Sequence, residues 1–125
     1  MKPTEEARRY IDNAREILRN KARKEDRYYQ DAKYVKMAGN TAYSGILVAL
    51  DHLLSPKKKG RKDVSWYKEQ LATLDKKVLE AFVSAYDTLH LSLGYDGNPS
   101  EKVAHSGLED AETIISWVET RTANA

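Results

Sequence analysis

Three histidines, His52, His90 and His105, are the side chains here best suited to move a proton or hold a metal near neutral pH. Two of them have carboxylates in helical register. Asp87 and His90 stand at i,i+3, a spacing at which side chains on one helix face can meet. Glu101, His105 and Glu109 repeat at i,i+4,i+8, with Glu112 nearby. One imidazole among carboxylates is a donor set for a divalent cation. The same stripe also describes a solvated helix face, and no metal is assigned to it. Adjacent Asp51 and His52 point to different faces of any helix. The di-iron pattern of helical bundles needs Glu-x-x-His on two helices, and Glu-x-x-His occurs nowhere here. With no cysteine there is no disulfide, thiolate zinc site or cysteine nucleophile. A G-x-S-x-G elbow and both glycine-rich phosphate loops are also missing. We therefore assign no catalytic residue, cofactor-binding residue or metal ligand, and expect no cofactor.

The cations are more suggestive. Residues 1–62 carry 16 Lys/Arg against 8 Asp/Glu, a net +8, whereas residues 63–125 carry 5 against 11, a net −6. Arg15, Arg19 and Arg23 form a stripe at i,i+4 spacing, and Lys57, Lys58, Lys59, Arg61 and Lys62 surround Gly60. These eight residues are the candidate contacts for a phosphate or nucleic acid. The whole chain is only +2, however, so the basic half can equally face the acidic half within one fold. Asp75 falls by helical angle among Leu71, Val78, Leu79 and Phe82, where a carboxylate needs a partner or water. Asp75, Asp87, His90 and His105 are retained as a possible polar site. Eight tyrosines suit half-buried packing, an interface, or base stacking beside the basic half.

The elements that position these groups read as helices. At 125 residues, 41% hydrophobic and 32% charged, the chain fits one folded domain, 1–125. Its longest apolar run, 45–50, is far short of the ~20 residues that span a bilayer. No apolar region follows the first residues as in a secretory signal, and small secreted domains usually need disulfides, so a cytoplasmic location is expected. Apolar period predicts helices over about 4–24, from 26–31 to 54, over 65–92 and over 100–121. Thr4, Ser65 and Ser100 are the expected caps. Ser55-Pro56 with the lysine run, and 94–99, are two breaks, and the polar stretch Arg23 to Asp31 is a softer third. Ala38, Ala42, Gly45 and Ala49 line a small-residue seam on the second helix, which permits close approach of a neighbour. Its apolar arc is wide enough to suggest contact with a second subunit. Short connections predict an all-α, antiparallel up-down-up-down four-helix bundle, in which the basic first helix lies beside the acidic fourth.

The order of segments also resembles HEPN domains. The stretch Tyr29-Gln30-Asp31-Ala32, then Asn40-Thr41-Ala42-Tyr43-Ser44-Gly45-Ile46-Leu47 and Ala49-Leu50-Asp51-His52-Leu53-Leu54, is similar to their second helix. Tyr86-Asp87-Thr88-Leu89-His90, Gly94-Tyr95-Asp96 and Leu108-Glu109-Asp110-Ala111-Glu112 with Ile115 resemble the distal half. The chain is also similar to a family of small, uncharacterised all-helical proteins of Bacteroidetes. The HEPN resemblance implies an antiparallel bundle, often dimeric. Many members are metal-independent ribonucleases using Arg-x4–6-His, while others are inactive partners of nucleotidyltransferases or accessory domains. Five to seven positions before His52 stand Gly45, Ile46 and Leu47; before His90, Val83, Ser84 and Ala85; before His105, Asn98, Pro99 and Ser100. None is arginine, so the fold carries over and the activity does not.

The combined expectation is a non-catalytic HEPN-like interaction or accessory module, a homodimer or the companion of another protein. The alternative is RNA or nucleotide binding through the basic half, and the second alternative a degenerate ribonuclease using His90 or His105.

Overall fold

The structure is a computed structural model that describes residues 2–54 and 62–123. Among these residues it is all-α apart from one minimal hairpin. Helix α1 (Pro3–Asn20) begins with proline at its first turn, where the missing N–H costs nothing, and with Glu5 and Glu6 against the positive end of the dipole. Lys2 precedes it without a side-chain cap bond, so the cap expected at Thr4 is not used. Ala7, Ile11, Ala14 and Leu18 form its buried face.

Helix α1 stops short of the expected residue 24. Ala22 is buried, Arg23 takes a left-handed φ of 53°, and a hairpin follows: β1 (Lys24–Glu25) pairs antiparallel with β2 (Tyr28–Tyr29). The carbonyl that would have continued the helix is used elsewhere, because Ala22 O accepts from the N–H groups of Gln30 and Asp31, both at 3.0 Å. The hairpin is in turn clipped to the start of the last helix. Tyr29 N–H donates to Pro99 O at 2.8 Å and Glu101 N–H donates to Arg27 O at 3.0 Å. Arg23 is thereby removed from the helical stripe with Arg15 and Arg19.

Helix α2 (Ala32–Leu54) is the most enclosed, with ten buried residues. Its small-residue seam meets α1: a Cβ at Gly45 would fall 2.7 Å from Tyr10 Cβ and 3.0 Å from Ala7 O. Gly39 serves a different neighbour, its missing Cβ leaving room for Leu89 O and Leu93 Cβ. Each glycine costs about 1 kcal/mol against alanine in a helix interior. Burying one Ile, Leu or Phe contributes ~1.5–3 kcal/mol, so close packing outweighs that cost. The wide apolar arc is largely consumed inside the chain. Ile46, Leu50 and Leu54 are buried, and Leu47 and Leu53 are partly buried against the same core.

The single helix expected over 65–92 is in fact three pieces. Helix α3 (Val64–Ala72) is capped by Asp63, whose carboxylate accepts from Trp66 N–H at 2.9 Å; Ser65 lies within the helix instead of capping it. Thr73 and Leu74 make a turn. Asp75 then caps α4 (Lys76–Ala85), accepting from Val78 N–H at 3.0 Å. Asp75 is therefore no carboxylate stranded on an apolar face. Its extended backbone breaks the helix, and its side chain satisfies an orphan amide of the next one.

From Tyr86 to Tyr95 the chain continues as a π-helical segment, widened to i→i+5 bonding. Glycines hold it on both sides. A Cβ at Gly39 of α2 would lie 2.5 Å from Leu89 O, and one at Gly107 would lie 2.5 Å from Leu89 Cδ2 and 2.7 Å from Thr88 Oγ1. Gly97, at φ 69°, ends the winding. Helix α5 (Glu101–Ala123) follows, capped as expected by Ser100, whose Oγ accepts from Val103 N–H at 3.2 Å.

The helices share one core cluster that includes Phe82, Ile11, Ile46, Leu71, Leu89 and Ile115. Helices α1 and α5 run antiparallel, as their ion pairs show. Arg8 meets Glu119 and Glu112, Arg15 meets Glu112 at 3.1 Å, and Lys24 beyond α1 meets Glu101. The charge asymmetry is thus used at least partly inside the fold.

Candidate functional site

Where α1 ends, the hairpin and the first turns of α5 leave a two-lobed cleft. Tyr29 and Leu108 lie in both lobes. The smaller lobe, about 300 Å³, is lined further by Arg15, Leu18, Arg19 and Lys24. The larger, about 590 Å³, adds Arg27, Glu101, Lys102, Ala104 and His105. The hairpin explains the geometry. Its backbone clip onto Pro99 and Glu101 sets Tyr29 beside α5, and its reversal brings Lys24 and Arg27 to the same opening.

Some of these cations are already engaged. Arg15 bonds Glu112 and lies 3.7 Å from Asp12. Lys24 bonds Glu101, which holds the lysine above its ordinary pKa and the glutamate below its own. Arg19, Arg27 and Lys102 form no ion pair among the described residues. Burial pushes the Tyr29 hydroxyl up, so the ring stays a neutral aromatic surface at physiological pH. The cleft therefore joins an aromatic and aliphatic floor to a rim carrying Arg19, Arg27 and Lys102, of which Arg27 also helps Lys24 hold the Glu101 carboxyl below its ordinary range.

The other described basic residues singled out by sequence, Arg23 and Lys62, do not line it. Arg23 is exposed in the turn after α1. Lys62 Nζ bonds Asp51 Oδ1 at 2.9 Å, near the opposite end of α2 from the hairpin. Tyr67 donates to the same oxygen at 2.6 Å, and its own hydroxyl is pushed well up, first by burial and then by that carboxylate. Lys57, Lys58, Lys59 and Arg61 fall outside the described residues. Arg15, Arg19, Arg23 and Lys62 do not therefore make one continuous surface.

The possible polar site of Asp75, Asp87, His90 and His105 is not one site either. Asp75 is a helix cap. His105 bonds Glu109 at 2.9 Å on an exposed face of α5. His90 lies between two rings, its centroid 4.8 Å from Tyr43 and 5.2 Å from Tyr86. Burial pushes the Tyr43 hydroxyl up to about 12, with a smaller contribution from Tyr86. The expected Asp87–His90 contact does not form, because π winding replaces the i,i+3 neighbour relation and leaves Asp87 exposed. The Glu101-His105-Glu109 stripe is divided between Lys24 and the His105–Glu109 pair. Among the described residues no group of three or more His, Asp or Glu is placed to hold a metal ion.

Sequence reasoning missed Lys24, Arg27 and Lys102 as members of the cleft, since only the hairpin brings them to it. It also missed Arg8, which bonds Glu112, Ser116 and Glu119. No helix among the described residues is long and apolar enough to cross a membrane.

No functionally curated protein matches the chain. A solved structure, a protein of unknown function from Dyadobacter fermentans, is similar at a TM-score of 0.92 and 58% identity, covering 95% of each chain. The family model described as a domain of unknown function, DUF5618, matches residues 2–120. The chain belongs to the DUF5618 family.

Proposed function

We propose that this protein is a non-catalytic interaction module, and that the cleft around Tyr29 takes a phosphate-bearing chain such as single-stranded RNA. The observation that carries this reading is the grouping of Arg19, Arg27 and Lys102, none in an ion pair among the described residues, around a half-buried tyrosine ring. Guanidinium and ammonium groups at the rim would neutralise successive phosphates. Tyr29 and Leu108 would receive a base, whose face stacks on an aromatic ring whatever its identity. The resemblance to HEPN domains without the Arg-x4–6-His pairing supports binding without turnover, and the cysteine-free composition supports a cytoplasmic setting.

The test is fluorescence anisotropy with a labelled oligouridylate at low salt. The protein should bind, and an Arg27→Glu, Lys102→Glu double variant with an unchanged circular dichroism spectrum should not. Absence of binding by the unaltered protein would reject the reading.

A further inference from the structure

We infer that the outer face of α1 pairs with the same face of a second copy, antiparallel, about a two-fold axis through Asn13. This is independent of the Tyr29 cleft, which uses the opposite flank of α1. A surface groove of about 530 Å³ runs along the outer face, lined by Tyr10, Asn13, Glu16, Ile17 and Thr41 of α2 among others. A second depression continues it past Tyr10 and Asn13 to Glu6 and Arg9.

The residues on this face repeat at seven-residue spacing. Glu6, Asn13 and Asn20 follow its centre line, Arg9 and Glu16 one flank, and Tyr10 and Ile17 the flank nearer α2. Seven residues is close to two helical turns, so members of each set stay in register along the helix. A two-fold axis at Asn13 reverses the order of the partner helix but keeps each flank on its own side. Arg9 then faces Glu16 of the second copy, and Glu16 faces its Arg9. Tyr10 likewise meets Ile17, and the two Asn13 amides meet on the axis. A face is self-complementary under two-fold symmetry only when residue i suits residue j and j suits i, and these pairs meet that condition.

Arg9 and Glu16 are exposed and in no ion pair among the described residues, while Tyr10 and Ile17 are only half-buried. The chain thus leaves on this face two opposite charges and two apolar groups, each with its complement one symmetry operation away. The polar centre line suits a modest interface whose register Asn13 fixes. This surface differs from the one suggested by the apolar arc of α2.

Charge reversal tests the inference. Light scattering on the full chain should show a dimer. Arg9→Glu and Glu16→Arg should each weaken it, raising Kd at least about tenfold, because each sets like charges against each other twice. The double variant, Arg9→Glu with Glu16→Arg, restores the opposition and should recover most of the dimer. Circular dichroism checks that the exposed positions leave the fold intact. Asn13→Cys supplies a second measurement on an otherwise unaltered, cysteine-free chain, and mild oxidation should give a disulfide-linked dimer. A monomer at all soluble concentrations, single variants as dimeric as the parent, or a double variant no better than the singles would overturn the inference.

Discussion

Arg8 grips Glu119 with two parallel bonds, Nε to Oε2 at 3.0 Å and Nη2 to Oε1 at 2.8 Å, across 111 residues of sequence. Its remaining nitrogen, Nη1, donates to Glu112, and Nη2 donates also to Ser116 Oγ at 3.1 Å. Bidentate geometry makes this stronger than an ordinary surface pair. Both side chains are about a third exposed, however, so solvent screening reduces its worth. We expect Arg8→Ala to lose about 1 kcal/mol, and Arg8→Lys, which keeps charge but not the fork, to lose most of that. Thermal unfolding should show the loss as a fall in Tm of about 3–6 °C.

The same cluster sets an acid limit on stability. Arg8 holds Glu119 below its ordinary pKa of 4.5. For Glu112 burial acts upward, but Arg8 and Arg15 outweigh it and the net shift is down. A carboxylate depressed in the folded state contributes stability that is complete above the unfolded value and is lost as pH falls through the folded one. Urea midpoints should therefore hold steady above about pH 5 and fall below it. In Arg8→Ala the fall should be shallower. An equal slope in both proteins would mean that other carboxylates carry the effect.

Gly39 and Gly45 mark two close approaches of α2 to its neighbours. Alanine would normally gain about 1 kcal/mol in a helix interior. At Gly39 the new methyl would sit 2.5 Å from the Leu89 carbonyl and at Gly45 2.7 Å from Tyr10 Cβ, and neither neighbour is the free end of a side chain. Overpacking should win, so each Gly→Ala substitution is expected to destabilise by about 1–3 kcal/mol. Ser44→Ala, exposed between them in sequence, should be within about 0.5 kcal/mol of the parent. Chemical denaturation of the three variants decides this.

Asp75 offers a choice between two accounts of one residue. If its carboxylate sat on an apolar face, Asp75→Leu would stabilise. As the cap of α4 it should instead cost about 1 kcal/mol when replaced by Leu or Ala, and little when replaced by Asn or Ser. Equilibrium unfolding of these variants distinguishes the two.

What was legible in the sequence follows from which signals are local. The period of Ala7, Ile11, Ala14 and Leu18, and that of Ala104, Leu108, Ala111 and Ile115, reports burial directly, because one face must leave water. Ser100 was legible as a cap because a proline precedes it and an apolar run follows. The break at Asp75 was hidden, since an aspartate between Leu74 and Lys76 looks the same whether it continues a helix or caps one. The π winding over Tyr86–Tyr95 was hidden because it depends on Gly39 and Gly107, distant glycines that make room for it. The hairpin strands are two residues each, too short for alternation to register. Half of the cleft was invisible for that reason. Arg15 and Arg19 stood out in the sequence, while Arg27 and Lys102 meet only through a backbone clip between Tyr29 and Pro99.

The salt dependence of oligouridylate binding tests the proposed cleft most directly. Three phosphate neutralisations on a single strand give a slope of about −2 in log K against log salt concentration. We expect that slope for the unaltered protein, a slope near −1.4 for Lys102→Ala, about 0.7 shallower, and an unchanged slope with weaker binding for Tyr29→Ala, which removes stacking and no charge. Binding that ignores salt, or a slope that Lys102→Ala leaves as steep, would contradict an anion site at Tyr29.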